Sequence, residues 1–249
     1  IRSNIQCSNP GLRSTQFTTN QLLIMEPIRI LHFSDVLCVW AYIAQIRLEE
    51  LQATFEDKVS IEHHFVPIFG NAHEKLELRW RDRGGLRGYS DHVKESAKKF
   101  NHISIHPDIW TQATPASSTS AHLFLHAIHL LEDNGSIDKS DRMFEKAIAA
   151  FRTEFFTKLA NISDRKIQFE IAENLGLPIA AIQEQIDSGD AYAQLSKDLD
   201  LVKEHTVTVS PTLIFNEGRQ RLNGNVGYRV IEANIRELLN TPPGEQSWC

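Results

Sequence analysis

The chain has 249 residues, 41% hydrophobic and 23% charged, which suits one large domain or two small ones and excludes wholesale disorder and low-complexity classes. Lys and Arg number 26 against 32 Asp and Glu, a formal net charge of −6, so no general electrostatic pull toward nucleic acid or an anionic membrane is expected. Apolar runs are as short as Leu22-Leu23-Ile24-Met25, and three cysteines cannot all pair within one chain, which excludes a bilayer-spanning or a disulfide-stapled class.

Residues 1–25 carry Arg2 and Arg13, no acid, and many Ser, Thr, Asn and Gln. That composition predicts a flexible extension, either a transit-type leader or sequence upstream of a natural start at Met25. Ile28–Phe33 is rich in β-branched and aromatic residues and predicts a strand, broken by Ser34-Asp35. Val39 to Phe55 follows helical spacing, with Trp40, Ile43, Leu48 and Leu51 on or near one face. Val59–Val66 predicts a second strand, ended by Pro67, and the three together read as a parallel βαβ unit with a right-handed crossover.

Residues 75–101 are charged and interrupted by Gly84-Gly85 and Gly88, and within them Lys94, Lys98 and Lys99 read as a solvated helix face. From about Ser117 to Tyr192 the pattern is helical. Leu123, Phe124, Ala127, Ile128 and Leu131 form one apolar stripe, and Phe144, Ile148, Phe151, Phe155 and Leu159 another. Ser163 is placed to cap a helix that Gly176 and Pro178 close, and a further helix runs from Pro178 to about Asp187. Leu195–Glu204 continues as helix. Thr212–Asn216 and Arg219–Leu222 predict a hairpin about Glu217-Gly218, and Val226–Leu239 a closing helix before Pro242-Pro243-Gly244. The fold class is therefore α/β, with an all-helical insertion. Segments 26–75 and 195–240 form one discontinuous domain, 76–194 the helical insertion, 1–25 an extension and 241–249 a loose tail.

Cys38 stands where the first strand hands over to the first helix. A thiol there faces the positive end of the helix dipole and unpaired N–H groups, which favour the thiolate and predict a lowered pKa. The bland alternative is a small buried residue packing as an apolar group. Pro211, directly before a strand, belongs at a strand start or a bulge. A trans bond would make it an ordinary edge opener, and a cis bond would expose the backbone of Ser210.

The motifs Phe33-Ser-Asp-Val-Leu-Cys38-Val-Trp-Ala-Tyr-Ile43 and Val209-Ser-Pro-Thr-Leu-Ile-Phe215, with Gly224 after them and Asn161-Ile-Ser-Asp164 in the helical block, resemble the DsbA family of thioredoxin-fold proteins over roughly residues 27–240. The closest resemblance is to the branch holding FrnE-type disulfide oxidoreductases, 2-hydroxychromene-2-carboxylate isomerases and kappa-class glutathione transferases. It implies a thioredoxin fold with an inserted helical domain. It implies that Cys38 is the attacking cysteine, that Pro211 is the family's cis-proline, and that the backbone of Ser210 pairs with an incoming peptide or glutathione. Trp40 and Tyr42 line the groove or pack beneath it. The oxidoreductase members carry Cys-x-x-Cys, whereas Ala41 holds the fourth position here and removes the resolving thiol. The glutathione-using relatives often carry Ser at the position of Cys38. The expected function is therefore monothiol thiol–disulfide chemistry at Cys38 with glutathione as co-substrate and no permanently bound cofactor. The alternatives are a glutathione-dependent isomerase or transferase acting on a small aromatic substrate, and a non-catalytic binding module. A cytoplasmic location is expected, protein thiols and a second copy of the chain stay open as partners, and Cys7 and Cys249 lie in the two loose ends.

Other candidates carry weaker readings. Arg79, Arg81, Arg83 and Arg87 around Trp80 either grip carboxylates or form a solvated surface. His122, His126 and His129 share a helix face without the acid of a zincin motif, so no metal is expected. His63 and His64 point to opposite strand faces, and His32 could support a thiolate if it faces Cys38. Asn161-Ile-Ser163 reads as a helix cap rather than a glycosylation site.

Overall fold

The structure, a computed structural model, describes residues 26–240. The expectations for segments 1–25 and 241–249, Cys7 and Cys249 included, lie outside the described residues. Four strands form one sheet in the order β2-β1-β3-β4: β1 (Ile28–Ser34), β2 (Val59–Phe65), β3 (Thr212–Phe215) and β4 (Gln220–Asn223). β1 pairs parallel with β2, Ile28 opposite Val59 and Ser34 opposite Phe65. It pairs antiparallel with β3, Leu31 opposite Ile214, and β3 pairs antiparallel with β4. The parallel pair is joined by α1 (Val39–Phe55), as the helical spacing predicts.

Side-chain alternation divides the core. Ile30, Leu213 and Phe215 face α1 and α9 (Tyr228–Asn240), meeting Leu48, Leu51, Phe55, Ile231 and Ile235. Leu31, Phe33 and Ile214 face the other way, onto Val66 and Val207. Because both faces of β1 are covered, a one-residue slip of register would exchange the two sets and lose both packings.

Between β2 and β3 the chain runs through α2 (Ala72–Arg79), α3 (Gly85–Ala97), α4 (Thr119–Asp133), α5 (Met143–Lys158), α6 (Arg165–Asn174), α7 (Ile179–Asp187) and α8 (Asp190–Glu204). The apolar stripes of α4 and α5 form the largest core, which also takes in Val36–Val39 and Ala41–Ile43 at the start of α1. The turn carrying Cys38 is thus buried against the helical segment.

Two local readings need correction. Segment 75–101 is helical, because its charges lie outward while Leu76, Tyr89, Val93 and Ala97 are buried. Gly84, at φ +90°, makes the turn before α3, and Gly88, inside α3, lets that turn pack against the helix, since a Cβ there would lie 1.7 Å from the Arg83 carbonyl. The cap of α6 is Asp164, whose carboxylate accepts from the Lys166 amide, while the Ser163 hydroxyl donates to the Ser117 carbonyl at 2.7 Å. Among the described residues no helix is long and apolar enough to cross a membrane.

Candidate functional site

Cys38 is the N-cap of α1, in extended conformation. The Ser210–Pro211 peptide is cis, and it brings Ser210 against the thiol: Cys38 Sγ donates to the Ser210 carbonyl at 3.2 Å. The Asp35 amide donates to Ser210 Oγ at 2.9 Å, which leaves the hydroxyl proton free to turn to the sulfur. Behind Pro211, the Gly224 amide donates to its carbonyl at 2.7 Å, and Thr212 Oγ1 donates to the Val209 carbonyl at 2.8 Å. These bonds hold the Ser210-Pro211 turn from both sides, so Cys38, Ser210 and Pro211 are gathered at one point. Trp40 is half-buried beside them, and Tyr42 lies beneath, stacked on Phe156 with ring centroids 4.9 Å apart.

The expected fall in thiol pKa does not occur. Cys38 is only 6% exposed, and burial pushes its thiol above the ordinary value. The Ser210 side chain and the amides of Ala41 and Trp40 do favour the thiolate, so the helix terminus acts as its position predicts. Burial outweighs them, and the neighbouring Asp35 carboxylate adds to the rise. The cause is long-range: the helical segment covers the turn, which no local pattern around Cys38 shows.

Asp35 is wholly buried, and burial raises its carboxyl to about 6 against three donors that hold it down, the Phe69 amide, the Leu37 amide and the Ser118 hydroxyl. On α2, Lys75 Nζ donates to the Ile68 carbonyl at 2.9 Å and lies 4.1 Å from the centroid of the Phe69 ring. Burial lowers its pKa, and Asp35 and Cys38 pull the other way. On α5, Arg152 is buried with no acid within ion-pair distance among the described residues. Its guanidinium donates to Ser34 Oγ at 3.0 Å and Gln45 Oε1 at 3.2 Å, its Nε is unpartnered, and burial lowers it to about 10. Sequence reasoning missed all three. For Asp35 the signal that was available is an acid, with Ser34, set between apolar Phe33 and Val36-Leu37.

The remaining candidates are used elsewhere. Arg79, Arg81, Arg83 and Arg87 are exposed around the α2–α3 turn, with Arg83 over Trp80 at 5.1 Å. His32 does not turn to Cys38, because its Nδ1 meets His63 Nδ1 at 3.0 Å across β1 and β2. His64 and His126 both bond to Asp198, His122 accepts from the Val36 amide at 3.3 Å, and His129 stacks on Phe144. Among the described residues no group of three or more ligating side chains is arranged to hold a metal ion.

A thiol at the N-cap of the first helix, beside a cis-proline loop of a four-stranded sheet with helices inserted between β2 and β3, is the arrangement of a DsbA-like thioredoxin fold. The chain belongs to that family: residues 29–236 match the DSBA-like thioredoxin domain. It is 32% identical over 94 residues to the ClpXP adapter protein SpxH of Bacillus subtilis, covering 35% of this chain and 31% of that protein. It is 22% identical over 231 residues to SpxH of Halalkalibacterium halodurans, covering 89% of this chain and 71% of that one. The probable DsbA oxidoreductase SCO1869 of Streptomyces coelicolor has the same fold, with a TM-score of 0.68 at 16% identity over 88% of this chain and 94% of that chain. So does the cytosolic disulfide reductase DsbM of Pseudomonas aeruginosa with GSH, with a TM-score of 0.60 at 16% identity over 84% and 99%. A 2-hydroxychromene-2-carboxylate isomerase matches with a TM-score of 0.60 at 14% identity over 85% and 96%.

Proposed function

We infer that the protein carries out thiol–disulfide exchange as a monothiol, with Cys38 as nucleophile and glutathione as co-substrate. The observation that carries this reading is the placement of Cys38 Sγ 3.2 Å from the Ser210 carbonyl, beside cis Pro211. That carbonyl accepts the thiol proton in the free protein. Once the sulfur enters a disulfide, the carbonyl is free to accept an N–H from the incoming peptide. The Cys38 thiolate attacks one sulfur of oxidised glutathione, a Cys38–glutathione disulfide forms, the glutathione S–S bond breaks, and the departing thiolate takes up a proton. With Ala41 in the fourth position no thiol of the motif resolves this disulfide; a substrate thiolate attacks its glutathione sulfur, leaves with the glutathionyl group as a new disulfide and releases Cys38 as thiolate.

The experiment is incubation with oxidised glutathione followed by intact-mass measurement, in a Cys7→Ser, Cys249→Ser background. One bound glutathione is expected, and Cys38→Ser removes it. No adduct, with binding of reduced glutathione retained, would instead indicate the isomerase or transferase chemistry.

A second reading is favoured by the burial that raises the Cys38 thiol, and by the similarity to ClpXP adapter proteins. In it the groove beside Ser210 holds a partner chain by main-chain pairing without covalent exchange. It predicts no adduct and partner binding that survives Cys38→Ser.

A further inference from the structure

Four segments meet at Asp35, three at its carboxylate and one at its amide. Asp35 Oδ1 accepts from the Leu37 amide at 2.8 Å, within the turn that ends at Cys38. Its Oδ2 accepts from the Phe69 amide at 2.8 Å, in the loop before α2, and from the Ser118 hydroxyl at 2.7 Å, at the start of α4. The Ser118 amide in turn donates to the Phe69 carbonyl at 3.0 Å, so the two outer segments are also joined to each other. Through its own amide Asp35 holds the hydroxyl of Ser210. One residue therefore links the nucleophile's turn, the cis-proline loop and the helical segment that covers them.

We propose that Asp35 is a positioning residue that couples the seating of the helical segment to the reactivity of Cys38, through the three donors that hold its carboxylate and through the negative charge they keep beside the sulfur. This rests on the reading of Cys38 as the reacting group. A buried carboxylate is kept ionised only where donors replace its water. Each donor withdrawn by a shift of α4 or of the 67–71 loop makes the proton harder to remove. A neutral Asp35 no longer opposes the thiolate, so movement of the cover is read at the sulfur as a change in nucleophile concentration. The other ionisable groups facing the pair are Lys75 from α2, Tyr89 from α3, His122 from α4 and Arg152 from α5. Lys75 and Arg152 are cations that favour both anions, while burial pushes the Tyr89 hydroxyl up and lowers His122 to about 3, leaving both neutral near pH 7.

The test is a thiolate titration by ultraviolet absorbance, in the Cys7→Ser, Cys249→Ser background with Cys38→Ser as blank. Asp35→Asn is expected to lower the Cys38 midpoint by about one pH unit, about tenfold in the ionisation constant. Ser118→Ala loosens the same anchor but keeps the charge, and is expected to leave the midpoint within about 0.3 unit of the parent. An unchanged or raised midpoint in Asp35→Asn overturns the proposal. So does an equal fall in Ser118→Ala, because loosening alone would then explain both.

A second measurement holds even where Asp35→Asn does not fold. Methyl methanethiosulfonate reacts with the Cys38 thiolate to give the methyl disulfide and release methanesulfinate. The logarithm of this rate should rise with pH at unit slope, interrupted by a shoulder near the pH of about 6 at which Asp35 titrates. Ser118→Ala should move that shoulder upward, and a straight line, or a shoulder indifferent to Ser118, contradicts the coupling. Neither readout uses glutathione. Absence of the glutathione adduct with the Asp35 effects present therefore refutes the exchange reading and not the coupling.

Discussion

Asp198→Ala is expected to lower the unfolding free energy by about 3 kcal/mol or more, the scale for removing one partner from a buried ionic network. Asp198 sits on α8, 1% exposed, and accepts from three donors: His64 Nδ1 at 2.8 Å, His126 Nε2 at 2.8 Å and the Phe65 amide at 2.6 Å. It thereby ties the end of β2 to α4 and α8, joining the sheet to the inserted helices. Burial alone would raise its carboxyl, but the hydrogen bonds from His126 and His64 more than reverse this and hold it at about 2. Without the carboxylate, two rings and one amide are left without an acceptor in the interior. Urea unfolding at pH 7.5 measures the effect. A loss under about 1 kcal/mol would mean that water or a neighbouring group replaces the carboxylate and that the joint is not held as described.

The protein should lose stability steeply as pH falls from about 6.5 to 4. Burial holds His63 and His122 at about 3 and His32 well below its ordinary value, so all three are neutral in the fold. The unfolded chain takes up their protons from about 6.5 downward. It therefore binds more protons than the native state in this range, and stability falls with falling pH. Asp35 acts in the opposite sense: its native carboxyl, at about 6, takes a proton that the unfolded chain takes only near 3.8. The histidines outnumber it, leaving about two excess protons and a slope of roughly 2.7 kcal/mol per pH unit. The contribution of Asp198 is present above 3.8 and is lost as pH falls through 2, so it sharpens the final collapse. His122→Gln should reduce the slope by about one proton, or roughly 1.4 kcal/mol per unit. A stability profile flat between pH 6.5 and 4 would contradict the burial of these neutral rings.

Much of the scaffold could be read from local pattern. Helix α1 spans the predicted Val39–Phe55: Ala44, Leu48, Leu51 and Phe55 recur at helical spacing in its second half, while its first turns are buried on all sides. The hairpin lies where Glu217-Gly218 suggests, with Glu217 and Gly218 both at positive φ. Cys38 and Ser210 are 172 positions apart, and only the family resemblance of their motifs brought them together in advance. What local pattern could not show was the environment. The thiol's acidity depends on burial against the inserted helical segment, so the dipole argument, sound for an exposed helix end, was overtaken. Arg152 was hidden in an amphipathic run, where an arginine reads as surface, and Lys75 in a charged stretch that reads as solvated. Asp198 and the histidines it holds come from three separate elements, and nothing in their spacing announces that they meet.

A crystal structure of the protein after treatment with oxidised glutathione tests most directly whether Cys38 exchanges disulfides within the Ser210-Pro211 turn. The account predicts a disulfide from Cys38 Sγ to the glutathione sulfur, with the tripeptide backbone paired to Ser210 beside the cis bond. A free thiol still turned to the Ser210 carbonyl under saturating oxidised glutathione, or glutathione attached only to another cysteine, would contradict it.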